Sequence, residues 1–129
     1  MYLLDTDTCI HVIKGRNSVM KRFREEGPQS VFLSAVSHHE LLYGALHSGA
    51  VEKHLGLVRT FVAPITVLPF TEETAVLSSA IKQELASRGE LIGPFDTLIA
   101  GQAQEHELTL VTGNVREFSR VSNLQIETW

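Results

Sequence analysis

Short apolar runs, each closed by charged, polar or turn-forming residues, alternate with longer mixed stretches along this chain. A run of three or four apolar residues between such boundaries is typical of a buried strand. Five runs predict strands, the last of them at a sheet edge: Tyr2–Leu4, Val31–Leu33, Ile65–Leu68, Leu108–Val111 and Leu124–Ile126.

The longer stretches between these runs predict helices. Glu72–Arg88 is the longest, and its apolar positions broadly follow a helical period between a cap at Thr71 and a stop at Gly89. The others run from a cap at Thr6 or Asp7 to about Lys14, over Ser18–Glu26, from Ser34 or Ser37 to about His47, over Val51–Val62, and from Gly93–Pro94 to about His106. Alternating strands and helices predict an α/β fold, a single domain over residues 1–129 with a mostly parallel central sheet flanked by helices.

Composition narrows the class of protein. Hydrophobic residues make up 43% and charged residues 20% of the 129 positions, which is typical of a globular chain. Cys9 is the only cysteine, which excludes an internal disulfide and a cysteine-rich zinc module. The chain has no basic, apolar leader and no apolar run of about 18 residues. We therefore expect a cytoplasmic protein without a membrane segment.

The charge is unevenly distributed. The net charge of −4 argues against a protein that coats nucleic acid, yet residues 1–24 hold five basic and two acidic side chains. The basic side chains are Lys14, Arg16, Lys21, Arg22 and Arg24. They are consistent either with a local surface that faces phosphates or with an ordinary solvated helix face.

Several common catalytic motifs are absent. The chain has neither of the glycine-rich phosphate-binding patterns nor a serine nucleophile elbow. His39 and Glu40 match the first two positions of the zinc-protease motif H-E-x-x-H, but Tyr43 occupies the position of the second histidine. A zinc deaminase would need two further cysteines.

Three carboxylates are more informative. Asp5 ends the first strand, Glu40 lies in the helix after the second strand, and Asp96 lies in the first turn of the helix at Pro94. Residues just past the carboxyl ends of parallel strands converge on one crevice. Clustered carboxylates repel each other, and a hard cation such as Mg²⁺ compensates them.

Each of these acids also has a purely structural interpretation. Ser37 and Glu40 fit a capping box, Asp5 could cap the following helix, and Asp96 could complement a helix dipole. The residues alone leave both interpretations open.

Four segments together resemble VapC-type toxins of the PIN-domain ribonuclease family, and the resemblance runs the whole length of the chain. LDTDTCI at Leu4–Ile10 is similar to a family LDTN, and Ser34–Gly44 is similar to S-x-x-x-x-x-E-L-x-x-G. LIGPFDTLIA at Leu91–Ala100 resembles IGPxDxxIA, and LVTGNVREF at Leu110–Phe118 resembles LVTxNxxEF.

The resemblance implies a set of site residues. Asp5, Glu40 and Asp96 would be the acidic metal ligands, and the fourth site position falls on Asn114, with Glu117 a weaker substitute. The family commonly has asparagine at three positions where this chain differs, and the effect of these departures is open: Asp7, Phe95 and Gly113.

The resemblance also implies a function. It predicts an endoribonuclease dependent on Mg²⁺, or on Mn²⁺, in which a metal-activated water hydrolyses RNA phosphodiesters, with tRNA as the expected substrate. The expected partners are a cognate VapB-type antitoxin and a second copy of the chain in a homodimer. Two alternatives are another metal-dependent nuclease or phosphatase and a catalytically silent RNA- or protein-binding module.

Overall fold

The computed structural model describes residues 1–129, and its five short strands form one parallel sheet. The strands are β1 (Tyr2–Leu4), β2 (Val31–Ser34), β3 (Thr66–Leu68), β4 (Thr109–Val111) and β5 (Ile126–Glu127). Their order across the sheet is β3-β2-β1-β4-β5, and all four neighbouring pairs are parallel. The predicted α/β fold with a parallel central sheet is confirmed.

Seven helices flank the sheet. They are α1 (Thr6–Ile13), α2 (Asn17–Glu26), α3 (Ala35–Leu46), α4 (Val51–Val62), α5 (Glu72–Ser87), α6 (Pro94–Glu105) and α7 (Val115–Phe118), with a 3₁₀ turn at Pro28–Ser30. The first six agree with the sequence prediction to within one or two residues at each end. No helix has both the length and the hydrophobicity needed to cross a membrane.

Two local features differ from the prediction. The short helix α7 was not predicted, because a single helical turn is too short to show a hydrophobic period. The last strand, Ile126–Glu127, begins two residues and ends one residue later than predicted, and it forms an edge of the sheet as expected. Leu124, expected to begin this strand, packs instead against the hydrophobic core.

The central strand β1 separates two hydrophobic layers, because its successive side chains point to opposite faces of the sheet. Leu3 lies in a core built largely from α5 and α6, with Leu110 of β4 beside it. Leu4 lies in the second core, built from α1 to α4, together with Leu33 of β2. Both leucines of β1 are fully buried. This double burial explains why the chain begins with a continuous apolar run instead of an alternating one.

The strand register decides which residues meet at the carboxyl edge of the sheet. Leu4 pairs with Leu33 on one side and with Val111 on the other. The next residue of β1's segment is Asp5, and the next residue after β4 is Thr112. Asp5 and Thr112 therefore lie next to each other at the carboxyl edge of the sheet.

The helices α5 and α6 pack closely against each other. A Cβ atom at Gly101 of α6 would lie 3.1 Å from the backbone of Ser78 in α5, closer than an alanine would tolerate without a shift. This contact fixes α6 against α5, and the amino-terminal turn of α6 carries Asp96.

Candidate active site

Asp5 is the most firmly held of the acidic residues. Its side chain is 5% exposed, and its two oxygens accept hydrogen bonds from different segments. The backbone N–H of Thr8 donates to Oδ1 at 2.8 Å, and the hydroxyl of Thr112 donates to Oδ2 at 2.5 Å. These bonds satisfy a buried carboxylate and fix its orientation at the edge of the sheet.

Asp5 is also the N-cap of α1, so its capping interpretation describes a real contact. The sequence prediction placed this cap at Thr6 or Asp7, which was wrong, because both residues already belong to the first turn of the helix. Capping occupies only one of the two carboxylate oxygens, so this role leaves Oδ2 directed toward Thr112 and the cleft described below.

Glu40 does not form the capping box that the sequence suggested. The N-cap of α3 is Ser34, whose hydroxyl accepts a hydrogen bond from the N–H of Val36 at 3.0 Å. Glu40 is therefore one turn too deep in the helix to cap it. Its Oε1 accepts instead a 2.7 Å hydrogen bond from the hydroxyl of Thr6, which also lies 3.1 Å from the Ser37 hydroxyl. This contact ties α3 to the start of α1 and holds Glu40 toward Asp5's segment.

Asp96 is half-buried in the first turn of α6, and the pKa of its carboxyl is raised to about 6. Burial is the main cause, followed by the negative charges of Asp5, Glu117, Glu40 and Asp7. The amino terminus of a helix normally favours the ionised form of a carboxyl group. At Asp96, burial and the neighbouring negative charges outweigh this effect of the helix dipole. Asp96 is thus a partly buried acid near four other carboxylates, and no basic side chain lowers its pKa in return.

The glycine before Pro94 makes room for this carboxylate. A Cβ atom at Gly93 would lie 3.0 Å from Oδ2 of Asp96, so a larger residue would press directly on the acid. The sequence indicates Gly93 only as a helix boundary, because its close approach to the Asp96 side chain depends on the three-dimensional packing.

One small cleft brings the four predicted site residues together. It encloses about 200 Å³ and is lined by seven residues: Asp5, Thr6, Asp7, Glu40, Asp96, Asn114 and Phe118. We call it the acidic cleft, because four of the seven are carboxylates and none is basic. Such a surface attracts cations and repels free anions.

The carboxylates do not form a ready-made cage. Nowhere in the chain do three acidic, histidine or cysteine side chains stand close enough together to hold a metal ion as placed. An ion in the acidic cleft would therefore take part of its coordination from water or from a substrate. Mg²⁺ commonly binds in this way, through one or two carboxylates and several waters.

Asn114 reaches the cleft from the segment after β4. Its backbone N–H donates a 2.9 Å hydrogen bond to the Thr112 hydroxyl, which in turn donates to Asp5. Asn114 thus supports the first acid through Thr112, besides presenting its side chain to the cleft. Glu117, the weaker candidate, does not line the cleft. The negative charge of Glu117 nevertheless raises the pKa of Asp96 more than the negative charge of Glu40 does.

Thr6 and Thr112 are the residues that the sequence reasoning missed. Each hydroxyl donates to one of the predicted acids, Thr6 to Glu40 and Thr112 to Asp5. A signal was available for Thr112, because it follows β4 just as Asp5 follows the neighbouring strand β1. No comparable signal exists for Thr6, whose partner lies 34 positions away.

The basic residues near the start of the chain do not line the acidic cleft. Arg22 is committed to ion pairs with Glu26 at 2.8 Å and Glu127 at 3.2 Å, and its guanidinium lies 5.9 Å from the centre of the Trp129 ring. Lys21 lies 3.9 Å from Glu25 on the same helix. Arg22 therefore connects α2 to the carboxyl-terminal strand β5.

Comparison with known proteins places these features in a family. The PIN domain family model matches residues 2–124. A protein of Salmonella typhimurium named tRNA(fMet)-specific endonuclease VapC is 36% identical over 128 residues, which cover 99% of this chain and 97% of the relative. A protein of the same name from Shigella flexneri is 41% identical over 130 residues, with the same coverage.

Solved structures agree with this relationship. The toxin–antitoxin complex VapBC from Salmonella typhimurium, determined bound to DNA, contains a chain with a TM-score of 0.93 and 37% identity, covering 99% of this chain and 97% of that one. VapBC2 from Rickettsia felis, bound to a promoter fragment, contains one with a TM-score of 0.92 and 28% identity, covering 99% and 98%.

Proposed function

The chain belongs to the PIN-domain family, and from that premise we propose that it is a metal-dependent endoribonuclease and the toxin of a toxin–antitoxin pair. The observation that carries the proposal is the acidic cleft, with its uncompensated charge at Asp96. Asp5, Glu40, Asp96 and Asn114 are its proposed site residues.

The donor atoms of the acidic cleft fit a hard divalent cation. Its polar side chains offer carboxylate, amide and hydroxyl oxygens, and no thiol or imidazole lines it. Mg²⁺ and Mn²⁺ prefer such oxygen ligands. The raised pKa of Asp96 adds an electrostatic reason, because a nearby cation would favour the ionised form that burial and the other acids oppose.

Each residue then has a distinct part in phosphodiester hydrolysis. A divalent cation in this cleft would supply positive charge to the substrate's phosphate oxygens and lower the pKa of a water molecule. Asp5, fixed by Thr8 and Thr112, and Asp96 would hold the cation. Glu40 uses Oε1 to accept from Thr6, which leaves its other oxygen to orient the attacking water or to bind the cation through water. Asn114 contributes a neutral amide.

The proposed substrate is tRNA. Two relatives whose matches cover 99% of this chain, at 36% and 41% identity, carry the name tRNA(fMet)-specific endonuclease VapC. An unpaired loop is the part of a folded RNA whose bases a protein can reach. A shallow cleft at a sheet edge is compatible with such a loop.

A small antitoxin is the proposed protein partner, because the solved relatives of this chain occur in VapBC complexes. An arginine of that partner would form paired hydrogen bonds with Asp5 or Asp96 and compete with the cation. A groove of about 320 Å³ between α1, α3 and α4 lies next to the cleft, shares Glu40 with it, and offers apolar side chains such as Ile10 and Leu57. We also propose that the chain forms a homodimer.

Cleavage of purified total tRNA tests the enzymatic proposal. We expect the chain to cut tRNA in Mg²⁺ or Mn²⁺, to lose activity in EDTA, and to lose it in the Asp96→Asn variant. The matched control is Glu107→Gln, the same change of a carboxylate to an amide at an exposed residue before β4, at the opposite end of that strand from the cleft.

Several results would contradict the proposal. Full activity in EDTA would exclude metal dependence. Full activity of the Asp96→Asn variant would show that Asp96 is not a residue of the active site. Faster turnover of DNA or of a phosphomonoester would point to the other phosphoryl-transfer enzymes. Failure to cut any nucleic acid, with an intact fold, would favour the silent binding module.

The antitoxin is tested by titrating the purified partner against the nuclease at several Mn²⁺ concentrations and two salt concentrations. We expect inhibition to weaken as Mn²⁺ rises. Inhibition that does not depend on metal and survives replacement of every arginine in the partner would exclude displacement of the cation.

A further inference from the structure

Two exposed rings that do not themselves line the acidic cleft meet one residue away from two of its carboxylates. The rings of His39 and Phe95 contact edge to face, with centroids 5.9 Å apart and planes at 87°. His39 directly precedes Glu40 on α3, and Phe95 directly precedes Asp96 on α6. The ring pair therefore bridges the same two helices that carry two of the proposed acidic ligands.

Packing of the fold does not account for this pair. Phe95 is 43% exposed and His39 is also exposed, so neither ring contributes its full area to a hydrophobic core. A single exposed aromatic residue is ordinary on a protein surface. Two rings that contact each other from separate helices, each one residue from a site carboxylate, form a more specific arrangement.

The acidic cleft needs such a surface if its substrate is RNA. None of its lining residues is basic, so the cleft itself provides no positive side chain for the substrate's phosphates. Besides a bound cation, attraction that does not depend on charge would then help to hold the chain of nucleotides in place. Stacking of a nucleobase on an aromatic ring supplies such attraction, and it tolerates any sequence because every base has a π face.

We propose that Phe95, buttressed edge-on by His39, stacks the unpaired nucleobase next to the phosphodiester held in the acidic cleft. This inference rests on the proposed ribonuclease function and adds a positioning residue to it. Stacking requires a base that is free of its duplex, so the ring pair makes the site selective for single-stranded RNA. Phe95 is the contact, and His39 fixes the ring orientation.

The experiment measures RNA binding separately from cleavage. The probe is a 12-nucleotide single-stranded RNA that contains 2-aminopurine, whose fluorescence is quenched when it stacks. It is titrated with the parent chain and with Phe95→Leu, Phe95→Trp and His39→Phe in EDTA. Cleavage of an unmodified RNA of the same sequence is followed in Mg²⁺.

We expect Phe95→Leu to lose the quenching and about tenfold in affinity, which corresponds to about 1.4 kcal/mol. Phe95→Trp keeps a larger π face and should bind at least as tightly as the parent. His39→Phe keeps the edge-to-face contact and should bind like the parent. The matched control is Phe70→Leu, which should bind like the parent, because Phe70 is 44% exposed and lines a groove with Phe95 but does not adjoin a site carboxylate. All variants should melt within about 2 °C of the parent, since the changed residues are exposed.

Equal affinity and quenching for Phe95→Leu and the parent would overturn the stacking role, whether or not the parent cleaves RNA. A change in oligomeric state of Phe95→Leu and Phe70→Leu together, with RNA affinity unaltered, would also overturn it and assign the rings to an interface between copies. If the parent binds through Phe95 but cuts no RNA in Mg²⁺, the ribonuclease proposal fails and the stacking contact stands.

Discussion

Replacing Asp96 by asparagine should make the metal-free protein more stable and abolish its activity. The pKa of this carboxyl is raised from 3.8 to about 6, so the folded chain binds the proton more tightly than the unfolded chain does. Ionisation of Asp96 therefore costs stability. The cost is complete above about pH 6, decreases as the pH falls through that value, and disappears below about 3.8, where both states are protonated.

The size of the effect follows from the size of the shift. A difference of about two pKa units corresponds to about 3 kcal/mol. Asp96 is only half-buried, and screening by solvent reduces this to about 1.5 kcal/mol. For a chain of 129 residues, this gain would raise the melting temperature by about 5 °C. Asparagine keeps the shape of the side chain and carries no charge at any of these pH values.

Thermal unfolding in EDTA at pH 7.5, 6.0 and 4.5 measures the difference between parent and Asp96→Asn. We expect the variant's advantage to be largest at pH 7.5 and small at pH 4.5. The control Glu107→Gln alters an exposed carboxyl that has no ion-pair partner, and it should show no such trend. Adding Mg²⁺ should raise the melting temperature of the parent more than that of Asp96→Asn.

A variant that is no more stable than the parent at pH 7.5 would refute the argument that Asp96 sits in uncompensated negative charge. An advantage that is the same at all three pH values would also refute it, because packing, not ionisation, would then be the cause. Equal stabilisation of both proteins by Mg²⁺ would remove Asp96 from the proposed ligands.

Three further changes test the supporting contacts. Glu40→Gln should reduce tRNA cleavage by orders of magnitude with almost no change in melting temperature, since the glutamine oxygen can still accept from Thr6; full activity would return Glu40 to a structural role. Thr112→Val leaves a buried oxygen of Asp5 without its hydrogen-bond donor, and it should lower the free energy of unfolding by about 2 kcal/mol in chemical denaturation. Thr112→Ser should recover most of this loss, and an unchanged denaturation midpoint for Thr112→Val would contradict the prediction. Arg22→Ala should lower the melting temperature slightly and leave RNA affinity unchanged, whereas a clear loss of affinity would restore the phosphate-facing interpretation.

The position of Asp5 could be predicted from the sequence because it follows from strand geometry. A buried apolar run that ends in an acid places that acid at the carboxyl edge of a parallel sheet, whatever the details of packing. Asp96 needed more information, because it reaches the same cleft from the start of a helix and not from the end of a strand. Its approach depends on the contact between Gly101 and Ser78, which no local pattern encodes.

The incorrect capping box shows how a local pattern can mislead. The spacing of Ser37 and Glu40 satisfies the motif, yet the helix begins three residues earlier, where β2 ends at Ser34. The serine that ends the strand caps the helix, so strand length, set by pairing with neighbouring strands, decides the outcome. The hydroxyl donors Thr6 and Thr112 were missed for a related reason, because hydrogen bonds over such distances leave no periodic signal.

The central place of β1 has a consequence for the growing polypeptide. Asp5 and the hydroxyl donor Thr112 are 107 positions apart, and β1 has β4 as its neighbour on one side. During translation Asp5 and Glu40 leave the ribosome well before β4 and Thr112, and a non-local pairing of this kind forms only after its second partner exists. A nascent chain thus carries the acids without the geometry that joins them. Asp5 therefore gains its hydrogen bond from Thr112, and with it a fixed orientation, only after the fourth strand has emerged.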